Sequence, residues 1–308
     1  MKEHYNILLA TDYSEAVMNA ERYAVQFALN TAANLTLLNV YDEPFVSLFG
    51  ETDVAGQLLK YKKNQLKKLK THRDELFKTL KIKKQDLNCD CIVKSGIAGT
   101  QILSEAKKIY YDFIIVGTHG ASGFRETFFG THAWSVIKNA QIPVLAIPQD
   151  ALFKGIKKMV FATEFREGEI PIIQFLSHLS KQYNAELTIL NVINYSVSKS
   201  FEKQLTNEFL NEVKSQTNNS ALSIQIIKNE NLTEGLNNYC ISNQVDWLIM
   251  SPEKKFLFEK IFKPGSSSVK KMTFQTQIPL FIVPDFYNPK FAKFLDIIDV
   301  NTYMSEEF

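Results

Sequence analysis

The chain repeats itself, and the repeat constrains its fold more than any other feature. NILLATDYSEA (6–16) resembles KMVFATEFREG (158–168), and LTLLNV (35–40) recurs as LTILNV (187–192) at the same offset of 152 residues. YDFIIVG (111–117) recurs as VDWLIMS (245–251), and IPVLAIP (142–148) as IPLFIVP (278–284). Matches that keep their order indicate two copies of one domain. The length of 308 residues agrees, because chains of this size usually divide into cores of roughly 150 residues. The expected boundaries are a first domain over 1–150, a second over 151–285 and a tail over 286–308. The joint falls near QDALFKG (149–155).

Each copy alternates short apolar runs with amphipathic stretches. In the first copy ILLAT (7–11), LTLLNVY (35–41), LNCDCIV (87–93), DFIIVG (112–117) and PVLAI (143–147) read as strands. Between Ser14 and Ala33 the apolar residues Val17, Ala20, Tyr23, Ala24, Phe27 and Ala28 keep helical spacing. Further helices are expected over 53–80, 98–110 and from Thr131 to Asn139. Continuous apolar strands alternating with helices make a parallel sheet covered on both faces. The fold class is therefore α/β, with two tandem doubly wound domains of five strands each. Such sheets take ligands beyond the carboxyl ends of their strands, where the winding reverses.

Composition removes several functions. A net charge of +2 exerts no general pull on nucleic acid. No segment approaches the roughly 18 apolar residues of a membrane span, and the N-terminus lacks a signal-peptide pattern, so a cytoplasmic protein is expected. Cys89, Cys91 and Cys240 are too few for a disulfide framework. Cys89 and Cys91 share a strand face, but two ligands without a second pair make a poor metal site, and no metal ligands are assigned.

One stretch carries chemistry. GTHGASGFRETFFGTH (117–132) leaves an apolar strand, places glycines at 117, 120 and 130, and ends where a helix begins. Glycine allows close backbone approach and positive φ, and a helix N-terminus attracts an anion through free N–H groups and its dipole. Thr131 adds a hydroxyl or a helix cap. Gly117 could instead only end a strand, and Gly130–Thr131 only cap a helix. The position after a central strand favours a phosphate site.

The spacing G-x2-G-x9-G-[ST] resembles the nucleotide-binding pattern of the universal stress protein family, and Gly117, Gly120, Gly130 and Thr131 fit it. ILLATDYSE (7–15), LTLLNVYDE (35–43) and PVLAIP (143–148) resemble the family's first, second and closing strands. The resemblance covers both halves and marks a tandem member. It implies sheets of order 3-2-1-4-5 and an adenine nucleotide, ATP, with a divalent ion such as Mg or Mn. It implies that Asp12 and the backbone at Ala10 and Val40 meet adenine and ribose. By the same resemblance Gly117 lies against the ribose, Gly120, Gly130 and Thr131 cradle phosphates, and His132 adds a backbone amide. It further implies intrachain pairing of the two domains through PVLAI and PLFIV, and leaves a homodimer open.

The second copy has lost the pattern. SPEKKFLFEKIFKPGSSS (251–268) offers only Gly265 and Ser266, at the wrong spacing, and Asp12 becomes Glu164. A structural or regulatory second half is expected. No base or nucleophile accompanies the glycine motif, since His119 reads as a loop residue, so no catalytic residue is assigned. The expected function is an ATP-binding protein of stress response or signalling. A slow ATPase or phosphotransferase and a nucleotide-free scaffold are the alternatives.

Overall fold

The structure is a computed structural model that describes residues 5–43, 53–108, 111–118, 131–165, 167–193, 199–217, 221–251 and 278–284. The chain divides into two compact units, Met1–Phe153 and Lys154–Phe308. The first ends three residues beyond the expected 150. The physical reason is Phe153, whose ring packs 5.1 Å from Tyr23 and 6.1 Å from Phe27.

In the first unit β1 (Asn6–Thr11), β2 (Asn34–Tyr41), β3 (Cys89–Ser95), β4 (Phe113–Gly117) and β5 (Val144–Ile147) form a parallel sheet of order β3-β2-β1-β4-β5. Helices α1 (Glu15–Thr31), α2 (Val54–Thr79), α3 (Ala98–Ala106) and α4 (Thr131–Asn139) connect them. Right-handed crossovers put α1 and α2 on one face, because both connections step toward β3. The step back from β3 to β4 puts α3 and α4 on the other. Contacts agree with this arrangement: Glu21 of α1 bonds His72 of α2, and Gly99 of α3 lies against Ser135 of α4.

The sequence explains each element. On α1 the expected stripe of Val17, Ala20, Tyr23, Ala24, Phe27 and Ala28 is buried. On α2 Leu69 and Leu76 are buried, whereas Leu59 is 54% exposed. Strand β4 is buried along its whole length, as a central strand of a sheet covered twice must be. Two helices are shorter than the periodicity predicts. Helix α1 stops at Thr31 because Ala32 turns left-handed (φ 53°) and Ala33 N–H returns to the Ala28 carbonyl at 2.8 Å. Helix α3 ends at Ala106 rather than 110, with Lys107 at its C-cap.

The second unit has the same winding. Strands β6 (Lys158–Ala162), β7 (Glu186–Ile193), β8 (Leu222–Lys228), β9 (Trp247–Met250) and β10 (Leu280–Ile282) follow the order β8-β7-β6-β9-β10. Their helices are α5 (Ile170–Tyr183), α6 (Lys199–Gln216) and α7 (Leu232–Ser242). The tail 286–308 and the segment holding Gly265 and Ser266 lie outside the described residues.

The two units share polar fasteners as well as strand order. Asp112 accepts from the Asn6 N–H at 2.7 Å, and Asp246 accepts from Lys157 and Lys158 N–H at 2.7 and 2.9 Å. These carboxylates hold the amino ends of β1 and β6. At the opposite rim Asn39 and Asn191 donate to the carbonyls of Thr11 and Thr163. The recurring aspartates and asparagines of the sequence repeat therefore close backbone groups that a strand end leaves open.

Candidate functional site at the carboxyl rim of the first sheet

Strands β1 and β4 run side by side but separate before they end. Their pairing stops at Leu9–Ile115, while β1 continues beside β2 to Thr11–Asn39 and β4 continues beside β5 to Gly117–Ile147. The winding reverses between these two strands, so the crevice lies at the switch point where doubly wound sheets take ligands.

Those of the expected residues that the structure describes lie toward the carboxyl rim of the sheet. Ala10 is half-buried near the end of β1, and Asp12 is exposed just past its end. Val40 is half-buried near the end of β2, and Gly117 is buried as the last residue of β4. Helix α4 starts at Thr131, with the exposed His132 beside it. A helix that returns from one parallel strand to the next begins at the carboxyl rim, so its free N–H groups belong to the same edge. Gly120 and Gly130, together with His119, lie outside the described residues.

The turn presenting Asp12 is held from several sides. Tyr13 adopts φ 63°, a left-handed conformation rare for a large side chain. Its N–H donates to Thr11 Oγ at 3.1 Å, and Asp12 Oδ1 accepts the Ser14 N–H at 2.9 Å. The Thr11 hydroxyl donates to Glu21 Oε1, and the Asn39 amide donates to the Thr11 carbonyl at 2.9 Å. Glu21 is 1% exposed, and His72 Nε2 donates to its two oxygens at 2.8 and 2.9 Å. The hydrogen bond to Glu21 raises the His72 pKa against the opposing effect of burial. Burial, with the nearby Cys91 and Glu21, pushes the Tyr13 phenol up to about 12.

Sequence reasoning named Asp12 but not Asn39, Glu21 and His72, which the structure joins to its turn. The asparagine had a signal, since it recurs in LTLLNV and LTILNV. The histidine had none, because it stands inside a lysine-rich helix and meets Glu21 only across 51 positions of chain. A second feature was also unforeseen. A cavity of about 560 Å³ opens where β2 and β3 end, lined by Tyr41, Glu43, Tyr61, Lys94, Ser95 and Gln101 among others.

Among the described residues no three His, Cys, Asp or Glu side chains gather as a metal site. Cys89 is buried with its thiol pushed up to about 12 by burial, which keeps it protonated and a poor ligand.

Comparison with known proteins identifies this frame. The model of the universal stress protein family matches residues 4–148. Universal stress protein MJ0531 of Methanocaldococcus jannaschii is 32% identical over 145 residues, spanning 46% of this chain and 80% of that protein. The chain belongs to the universal stress protein family. Universal stress protein MJ0577 of the same organism is 27% identical over 150 residues, covering 46% of this chain and 93% of its own. These sequence matches fall short of half of this chain. The fold likeness extends further. A universal stress protein from Archaeoglobus fulgidus superposes with a TM-score of 0.61 over 92% of this chain and 97% of its own, at 13% identity. That likeness shows the universal stress protein fold and nothing finer. Among the described residues no helix is long and apolar enough to cross a membrane.

Proposed function

We propose that the first unit binds an adenine nucleotide, ATP with Mg or Mn, and that the chain acts in stress response or signalling through occupancy of that site. The observation that supports this is the split between β1 and β4, with Asp12 and Gly117 at its two lips and the start of α4 on the same rim. A carboxylate suits ribose hydroxyls, whereas phosphates suit glycine backbone and helix N–H groups. In this reading Asp12, Ala10 and Val40 meet the nucleoside, Gly117 lies against the ribose, and Gly120, Gly130, Thr131 and the His132 amide hold the phosphates.

These are binding groups. A carboxylate, glycines and helix amides bind and orient a nucleotide but supply no activated nucleophile. The second unit, with Glu164 and a lysine-rich loop in place of the motif, acts structurally or in regulation.

The test is the nucleotide content of freshly purified protein, denatured and resolved by chromatography, beside Gly130→Asp. About one adenine nucleotide per chain, lost in the variant, is expected from one phosphate-cradling site. An empty wild-type protein that shows no thermal shift with Mg-ATP overturns the reading.

A further inference from the structure

The Thr11–Ser14 turn carries an arrangement that phosphate or ribose binding does not require. Thr11 links it to Glu21 of α1, and Glu21 links it to His72 of α2. The Tyr13 ring stands edge-on to His72, with centroids 5.0 Å apart and planes at 79°. Lys68 Nζ lies 4.3 Å from the centre of the same ring. A left-handed tyrosine persists only where its surroundings impose that shape. Here one of the imposing groups is a histidine, the side chain that changes charge near neutral pH.

The second unit is an internal control. It holds the same turn, with Phe165 at φ 56° and its N–H donating to Thr163 Oγ at 2.9 Å. Thr163 again donates to a carboxylate, Glu169, at 2.6 Å, but this residue comes from the 3-10 turn just ahead of α5. The phenylalanine ring packs 4.8 Å from Phe209 of α6. An apolar ring pair thus occupies the place of the Tyr13–His72 contact. The turn can be built without a titrating partner, and the unit that keeps the glycine motif has one.

We propose that Glu21 and His72 are positioning residues for the Asp12 turn, and that protonation of His72 sets how firmly the first unit presents Asp12 to a ribose. The proposal rests on the nucleotide reading above. The charged and titratable groups around His72 come from every neighbouring element. Glu21 faces it from α1, Glu75 and Lys68 from its own helix, and the Tyr13 phenol from the turn. Cys91 of β3 acts electrostatically on that phenol. Glu21 and Glu75 favour the imidazolium, while Lys68 and burial oppose it. The cation gives Glu21 a charge-assisted donor. The neutral ring gives a weaker bond in one tautomer and confronts the carboxylate with a lone pair in the other. Loss of the proton therefore loosens Glu21, then its bond from Thr11, and with it the turn.

The experiment has two arms, each run on wild type and on His72→Gln from about pH 5.5 to about pH 9, across the histidine range. Glutamine keeps an N–H donor for Glu21 but has no proton to lose. In the first arm, without nucleotide, NMR follows the His72 ring and the Tyr13 and Ser14 amides. Amides that titrate with the His72 midpoint in wild type and stay flat in the variant are the expected result. Flat wild-type amides beside a titrating ring overturn the proposal, and this holds even if the variant does not fold. In the second arm, calorimetry measures Mg-ATP. Wild type is expected to bind about threefold to tenfold more tightly below the midpoint than above it, relative to the variant. The variant meets the same nucleotide protonation, so the difference between the two curves reads His72. Parallel curves overturn the proposal and leave nucleotide binding standing. Absence of Mg-ATP binding at every pH, with the amides still titrating, overturns the nucleotide reading and leaves the hold on the turn intact.

Discussion

The side-chain amide of Asn39 on β2 donates to the carbonyl of Thr11, the last residue of β1, at 2.9 Å. Asn191 repeats the bond to Thr163 in the second unit at 2.8 Å. Each bond lies where the first strand of its unit parts from its neighbour and its carbonyls lose sheet partners. Asn39→Leu leaves the buried Thr11 carbonyl unsatisfied, at a cost of about 1–3 kcal/mol. Thermal melts should show a comparable loss for Asn191→Leu. Only the first substitution is expected to weaken Mg-ATP binding, and equal effects of both on binding would count against a single site in the first unit.

Glu105 lies fully buried on α3, within 2.7 Å of Lys94 Nζ and 2.5 Å of Lys108 Nζ. Burial alone would raise its pKa, but the bonds from Lys108 and Lys94 outweigh it and hold the carboxyl below its ordinary value near 4.5. A lowered carboxylate contributes stability that is present above that ordinary value and lost as pH falls through the lowered one. Glu105→Ala should cost about 2–3 kcal/mol at neutral pH, at the low end for a buried pair because both lysines can turn toward water. Denaturation followed from neutral to acid pH should show the gap between wild type and variant closing. A gap that stays constant would mean the carboxylate charge contributes nothing.

Gly99 sets how closely α3 and α4 approach. A Cβ there would stand 3.0 Å from Ser135 Oγ and 3.1 Å from Ser135 Cβ. Gly99→Ala asks only that Ser135 shift by a few tenths of an ångström. Gly99→Val forces the helices apart and should cost about 1–3 kcal/mol. Because α4 begins at the candidate phosphate site, the valine variant should also bind Mg-ATP more weakly than the alanine variant. Equal binding by the two would show that the position of α4 does not matter to the ligand.

The three cysteines predict a labelling pattern. Burial pushes the Cys240 and Cys89 thiols up to about 12 and raises Cys91, which is only half-buried. At about pH 8 the two buried thiols present on the order of a thousandfold less thiolate than a free cysteine. Iodoacetamide should therefore leave Cys240 and Cys89 untouched in the folded chain and alkylate all three in denaturant, with Cys91 intermediate, as read by mass spectrometry. Rapid native labelling of Cys240 would show that β9 and α7 open readily.

Much of the fold is legible in the chain itself. Apolar runs and the 152-residue repeat determined the alternation of strands and helices, and a parallel covered sheet followed from it. The positions of Asp12 and Gly117 at strand ends were legible because each directly follows or ends an apolar run. Where local signals were missing, boundaries slipped. Strand β3 was expected over 87–93 and lies at Cys89–Ser95. Alternation in LNCDCIV marks which side chains turn inward, but only pairing with β2, beginning at Leu35–Cys89, determines where the strand starts. Helix α1 ends on a left-handed Ala32, a position where glycine would have announced the stop.

What the sequence by itself determined is therefore what local periodicity and composition encode: the elements, their order and the fold class. What only the tertiary structure decided is which distant polar groups meet. Right-handed crossovers bring α1 and α2 onto one face, and that placement joins His72 to Glu21 and through it to Thr11. A hydrogen bond between residues 51 positions apart leaves no periodic trace in a sequence, because its geometry exists only once the sheet has brought both helices to the same side.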